Sequence, residues 1–192
     1  MVGVAVFGVP ANQKTIPCYA PGVAPNDGVE LSRFVLLDEV EANGETWFLK
    51  RAFNVLKKTK DPSVVLSYSD PIPRTNCEGK TIKPGHYGCI YQAFNGRYVG
   101  KSHPRKLLLA PDGTTISGRA LSKLRKEGVS SYCYSDLLSK GAPTIHKEES
   151  IDSYLLRVKK TFRTINHTGN YAYVWPLKRG VKTLPKLPYP KK

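Results

Sequence analysis

Short apolar, β-branched runs alternate with one long stretch of helical periodicity over the first hundred residues, and this alternation constrains the fold most. Residues 2–8 (VGVAVFG), 29–38 (VELSRFVLLD), 63–68 (SVVLSY) and 97–102 (RYVGKS) read as strands, the first of them buried. In ETWFLKRAFNVLKK, Trp47, Arg51 and Val55 stand four apart, and Leu49, Phe53 and Leu56 continue the apolar face. Asn43 is its N-cap candidate, Glu45 suits the first turn, and Lys57-Lys58 suit the last. Residues 86–94 (HYGCIYQAF) read as a second, short helix stopped by Asn95-Gly96. Residues 9–28 and 70–85 read as Pro-rich loops. The order strand, strand, helix, strand, helix, strand predicts an α/β fold with some parallel pairing.

The second half is less periodic. Pro111-Asp112-Gly113 marks a hairpin turn, and residues 117–127 and 150–160 read as helices, the latter capped by Ser150. Residues 170–175 (NYAYVW) alternate as a strand, and the proline-rich, basic tail beyond predicts an extended arm. The expected organisation is one domain over residues 1–176 followed by a tail over 177–192. No apolar run approaches the ~18 residues that cross a bilayer. Without a basic, apolar leader, Cys18, Cys77, Cys89 and Cys133 are expected as free thiols in a cytoplasmic protein.

Charge separates the halves. Residues 1–96 hold ten basic and nine acidic side chains, and residues 97–192 hold twenty and six. An excess of +14 in one half points to a polyanion, most simply nucleic acid. Arg119, Lys123 and Lys126 share a helical face, and Lys101, Arg105, Lys106 and Arg125 extend the basic set. Tyr132, Tyr134, Tyr171, Tyr173 and Trp175 are candidates for base stacking.

Two segments offer chemistry. Asn43, Gly44, Glu45 and Thr46 stand between a strand and a helix, where backbone amides can hold an anion, although Glu45 opposes a phosphate there. Tyr68 and Asp70 end a strand, and His86 follows a long loop; a Tyr, an Asp and a His there can serve as acid, base and orienter. Ser117 and Arg119 are candidates for touching a base or a donor. His86 and Cys89, with His103 nearby, are too few ligands to predict a metal site.

The segments LSRFVLLDEVEANGETWFLKRAF, VVLSYSDP and GHYGCIYQAFNGRYVGKS resemble the Mom-type phage DNA-modification proteins over roughly residues 1–110, and NYAYVWPL does so more loosely. The resemblance implies a GNAT-like mixed central sheet flanked by helices, here with a basic C-terminal helical extension. It makes residues 41–46 the donor loop and 63–69 a strand splayed from its neighbour, with Tyr91 near the place of a general acid. Only Gly44 fits the Q/R-x-x-G-x-G/A loop pattern of acyl-CoA-binding GNAT proteins. The implied activity adds a carbamoylmethyl group to the N6 amine of adenine in DNA, shielding phage DNA from restriction. The donor would be acyl-CoA-like or glycine-derived, with any metal unknown, and a duplex adenine would be flipped out to react. A GNAT-like transferase acting on another amine, including another base, and a non-catalytic DNA-binding protein are the alternative readings.

Overall fold

The computed structural model describes residues 2–191, and the chain divides into two compact units. Unit 1 comprises residues 1–71, 86–102 and 170–192; unit 2 comprises 72–85 and 103–169. This differs from one domain over 1–176 with a separate tail. The single long-range division arises because two excursions leave the first sheet and build their own core.

In unit 1, β1 (Gly3–Gly8), β2 (Gly28–Leu36), β3 (Val64–Ser69), β6 (Arg97–Lys101) and β10 (Tyr171–Pro176) form one sheet in the order β1-β2-β3-β10-β6. Only β2 and β3 are parallel; the other neighbours are antiparallel. A parallel neighbour requires a crossover, and α2 (Gly44–Thr59) supplies it. Leu49, Phe53 and Leu56 of α2 are buried as the spacing predicts. Trp47 and Val55 are instead exposed, and the Arg51 guanidinium stacks 3.4 Å from the Trp47 ring. The strand β1 also departs from expectation: Val4 and Val6 are exposed, because β1 is an edge strand with only one covered face.

The loop expected over residues 9–28 contains a short helix, α1 (Thr15–Tyr19), which covers the face opposite α2. The helix expected over 86–94 shrinks to α3 (Cys89–Ala93), since Gly85 and Gly88 adopt left-handed backbone before it. Residues 177–191 have no regular structure, but they are not a free arm. The Leu184 amide donates to the Tyr19 carbonyl (3.0 Å) and the Leu187 amide to the Tyr98 carbonyl (2.8 Å). The second bond covers the exposed edge of β6.

Unit 2 contains a β4 (Arg74–Thr75) and β5 (Thr81–Lys83) hairpin and a sheet of β7 (Arg105–Leu109), β8 (Thr115–Ile116) and β9 (Arg163–His167), ordered β8-β7-β9. The helices α4 (Gly118–Glu127), α5 (Tyr132–Ser139) and α6 (Ile151–Thr161) pack Leu124, Leu137 and Tyr154 into its core. Ser117 and Ser150 cap α4 and α6, accepting from Ala120 N and Ser153 N. Arg157 grips Glu149 with Nε (3.0 Å) and Nη2 (2.6 Å). This pair and the His146 amide hold the Glu149 carboxyl at about 2, below its ordinary 4.5. A depressed carboxyl stabilises above its unfolded pKa and loses that contribution as pH falls through the folded one. Thermal melts of the wild type and Glu149→Gln should therefore differ near neutrality and converge between about pH 4.5 and 2.

Folding also redistributes the charge. Unit 1 carries fifteen basic and eight acidic side chains, and unit 2 fifteen and seven. The asymmetry along the chain becomes +7 against +8, because Arg97, Lys101 and the basic tail return to unit 1.

Candidate functional site

The pairing of β2 with β3 runs only from Gly28↔Val64 to Leu31↔Ser67. Beyond it β2 continues to Leu36 beside β1, and β3 continues to Ser69 beside β10. The two parallel strands thus part, and the Ser67 hydroxyl donates to the Leu31 carbonyl (2.9 Å) at the last pair. Ligands of open α/β sheets settle at the carboxyl ends of strands. Here Asp70, 7% exposed, follows β3 at that end.

Two backbone clasps fix this end. The His86 amide donates to the Asp70 carbonyl (2.8 Å), closing the excursion through residues 71–85. The Ser102 amide donates to the Asn170 carbonyl (2.8 Å), and the Asn170 amide to the Ser102 hydroxyl (2.9 Å). Tyr171 sits in register with both Ser69 and Lys101, so the chain leaves and re-enters unit 1 at this one end.

Tyr91 reaches the parting from α3. It is buried, bonds with Ser67, and its ring lies 6.3 Å from that of His86. Burial raises the phenol above its ordinary value, with the Ser67 bond partly offsetting. Tyr91 is therefore protonated at neutral pH and suited to donating a hydrogen bond or proton. Tyr173 and Gln92 anchor α3: the Tyr173 hydroxyl donates to the Tyr87 carbonyl, and the Gln92 amide reaches that carbonyl (3.0 Å) and the Tyr173 hydroxyl (3.1 Å). Tyr173, a stacking candidate by its sequence, is instead fully buried beneath Gly88.

Asp70, His86 and Tyr91 are thus brought together, whereas Tyr68 is not. Strand alternation puts Tyr68 on the face that carries α1, opposite Ser67 and Tyr91. There it hydrogen-bonds Tyr19, with ring centroids 5.9 Å apart. Burial, the Tyr19 bond and the nearby Tyr19 and Glu30 groups push its phenol far above its ordinary value. Ser117 is engaged as the cap of α4 in unit 2.

Asn43 and Gly44 line a cleft of about 690 Å³ with Val2, Leu36, Val40, Trp47 and Phe48, whereas Glu45 and Thr46 are not part of its lining. Asn43 is left-handed (φ 68°) and its side chain caps nothing. The Thr46 hydroxyl is turned to the Asn43 carbonyl (3.1 Å). Glu39 and Glu41 also line the cleft, and among the described residues no cation does. This apolar, carboxylate-rimmed space does not fit a pyrophosphate, whose charge it would repel.

In unit 2, Arg119, Lys123 and Lys126 do share a hollow of about 380 Å³ on α4, with Gly118 and Ser122. The Lys123 ammonium stands 4.4 Å over the ring of Tyr132, which is 66% exposed. Arg125 lies off that face and pairs with Asp152 (2.8 Å). Arg105 lies on β7, and Lys101 on β6 of unit 1, 5.3 Å over the Tyr171 ring. Of the other aromatic candidates, Trp175 is buried and donates to the Phe94 carbonyl, and the Tyr134 hydroxyl accepts from the Ile145 amide. Only the exposure of Tyr132, which no sequence pattern signals, singles it out for stacking.

The four cysteines are free thiols, Cys133 buried and the others exposed. Among the described residues, no group of three or more His, Cys, Asp or Glu side chains is gathered as around a metal ion. No helix of these residues is long and apolar enough to cross a membrane.

The mixed α/β unit thus gathers a parted parallel pair, a neutral buried phenol and a carboxyl at one strand end. No curated protein matches the chain. The family model described as the Mom protein family matches residues 1–191, and the chain belongs to that family. Membership places it among phage DNA-modification proteins.

Proposed function

We propose that this protein is a GNAT-like transferase that adds a carbamoylmethyl-type group to the N6 amine of adenine in double-stranded phage DNA, protecting it from host restriction. The observation that carries this reading is the family match across residues 1–191. The parting of β2 from β3 beside Tyr91 supports the GNAT-like part, since that is where the resemblance expects a splayed strand.

The N6 lone pair is delocalised into the ring, so the amine is a weak nucleophile and must lose a proton as its new bond forms. Asp70 and His86 are the groups near Tyr91 able to take it. Tyr91, neutral at the working pH, holds or donates a proton to the departing side of the donor. Tyr68 is assigned no proton transfer, because it faces the other side of the sheet. Of the two donor classes, a glycine-derived one agrees better with the cleft at Asn43 and Gly44. Its amine or amide N–H groups suit Glu39 and Glu41, whereas phosphates do not.

The α4 face holds the DNA. Arg119, Lys123 and Lys126 neutralise phosphates, and Tyr132 offers a stacking ring beside them. The salt slope of duplex binding should fall by about two in Arg119→Ala/Lys126→Ala, at ~0.9 per phosphate contact. Arg125→Ala, which loses an ion pair to Asp152 instead, should leave it nearly unchanged. A slope equally affected by both variants would remove α4 from the DNA surface.

Nucleoside mass spectrometry of DNA from cells expressing the protein tests the reaction. A deoxyadenosine adduct of carbamoylmethyl mass is the expected product. An adduct on another base would change the substrate, and no adduct with DNA binding intact would favour a non-catalytic binding protein.

A further inference from the structure

Unit 1 carries a second basic feature, remote from the end of β3. Lys50 and Lys57 stand seven residues apart on α2, two turns along one face, and Arg97 opens β6. All three line a hollow of about 420 Å³ bounded also by Asn54, the end of α3 and the end of β10. Its apolar base is rigid: Phe53 packs against Phe94 and Trp175 with centroids 5.0 and 5.5 Å away. The Trp175 indole N–H is held by the Phe94 carbonyl (2.9 Å).

Among the described residues, no carboxylate lines this hollow. Among the described residues, Lys50 and Lys57 form no ion pair, and Arg97 makes only a 3.5 Å contact with the Thr183 hydroxyl. By contrast, Lys123, Arg125, Lys140, Arg157 and Lys178 each have a carboxylate partner. Like charges gathered around a concave surface repel one another and focus a positive potential into it. An anion with several oxygens relieves that repulsion and can accept from both ammonium groups, the guanidinium and the Asn54 amide.

We propose that this hollow is a phosphate-binding site on unit 1, taking either a backbone phosphodiester of DNA or the phosphate of a soluble nucleotide. The DNA source rests on the function proposed above; the phosphate chemistry does not. The near-neutral balance of residues 1–96 conceals the site, because Arg97 joins the two lysines only in the folded unit.

The test compares the wild type, Lys50→Glu/Lys57→Glu, and the charge-matched control Lys14→Glu/Arg33→Glu, whose exposed cations lie outside the hollow. Thermal melts establish that each folds. Inorganic pyrophosphate binding is measured by calorimetry, and duplex DNA binding as a function of salt. If backbone phosphate is the occupant, the salt slope falls by about two in the hollow variant beyond any change in the control. If a soluble phosphate is the occupant, pyrophosphate binds the wild type and the control but not the hollow variant, with DNA slopes alike in both variants. Equal behaviour of the two variants in both measurements overturns the proposal. Failure of the wild type to bind DNA would count against the proposed function, leaving pyrophosphate to decide the site.

Discussion

Gly88→Ala is expected to destabilise unit 1 by about 2–5 kcal/mol, read as a lower urea midpoint with an unchanged slope. Two costs combine. Gly88 has φ +75°, a conformation in which a side chain is strained. A Cβ there would also lie 2.6 Å from Cε2 of Tyr173, a fully buried ring that cannot move aside. Tyr173 is tied to the Tyr87 carbonyl and to Gln92, so the displacement would reach α3 and carry Tyr91 off Ser67. DNA modification should fall with stability. A variant as stable as the wild type would show that α3 can reseat without these contacts.

Tyr91→Phe is expected to keep the fold and lose the modification, by about 10²–10⁴-fold in rate. Only the hydroxyl is removed, and the ring still packs against Tyr173 and Trp175 (centroids 5.5 and 5.6 Å). The measurement is the rate of adduct formation by nucleoside mass spectrometry, alongside the melting temperature. Tyr68→Phe is the matched comparison, since that phenol serves Tyr19 on the opposite face. It should modify DNA at close to the wild-type rate. Loss of activity in Tyr68→Phe with full activity in Tyr91→Phe would move the reaction to the α1 face of the sheet.

These residues show where sequence reading works. Leu49, Phe53 and Leu56 were legible as the buried line of α2 because helical spacing is a local property of the backbone. The caps Ser117 and Ser150 were legible for the same reason: each accepts from an amide three residues ahead. Asp70 and His86 are legible from residue type and position and Tyr91 from the family resemblance, and the Asp70–His86 clasp joins two of them. Tyr68 shares their strand end in the sequence, but it is its neighbour Ser67 that reaches Tyr91. A strand turns consecutive side chains to opposite faces, and only packing reveals which face receives α3. The outer line of α2 shows the same limit. Trp47 and Val55 have helical spacing as good as that of Phe53, but the sheet covers only one side of the helix.

The sequence by itself determined the family, the order of β1, β2, α2, β3, α3 and β6 though not α1 or the β4–β5 hairpin in the segments read as loops, and the helix limits of α4 and α6 within a residue or two. Those properties reside in neighbouring residues or in the order of the chain. The tertiary structure decided that β10 lies between β3 and β6, that the parallel pair parts after Ser67, and that the tail covers β6. It also turned a charge split of +1 and +14 along the chain into +7 and +8 between units. Lys50 and Arg97 are far apart in sequence, and no local spacing records that they share a hollow. Such contacts arise when the chain closes on its core, which is a property of the whole unit rather than of any segment.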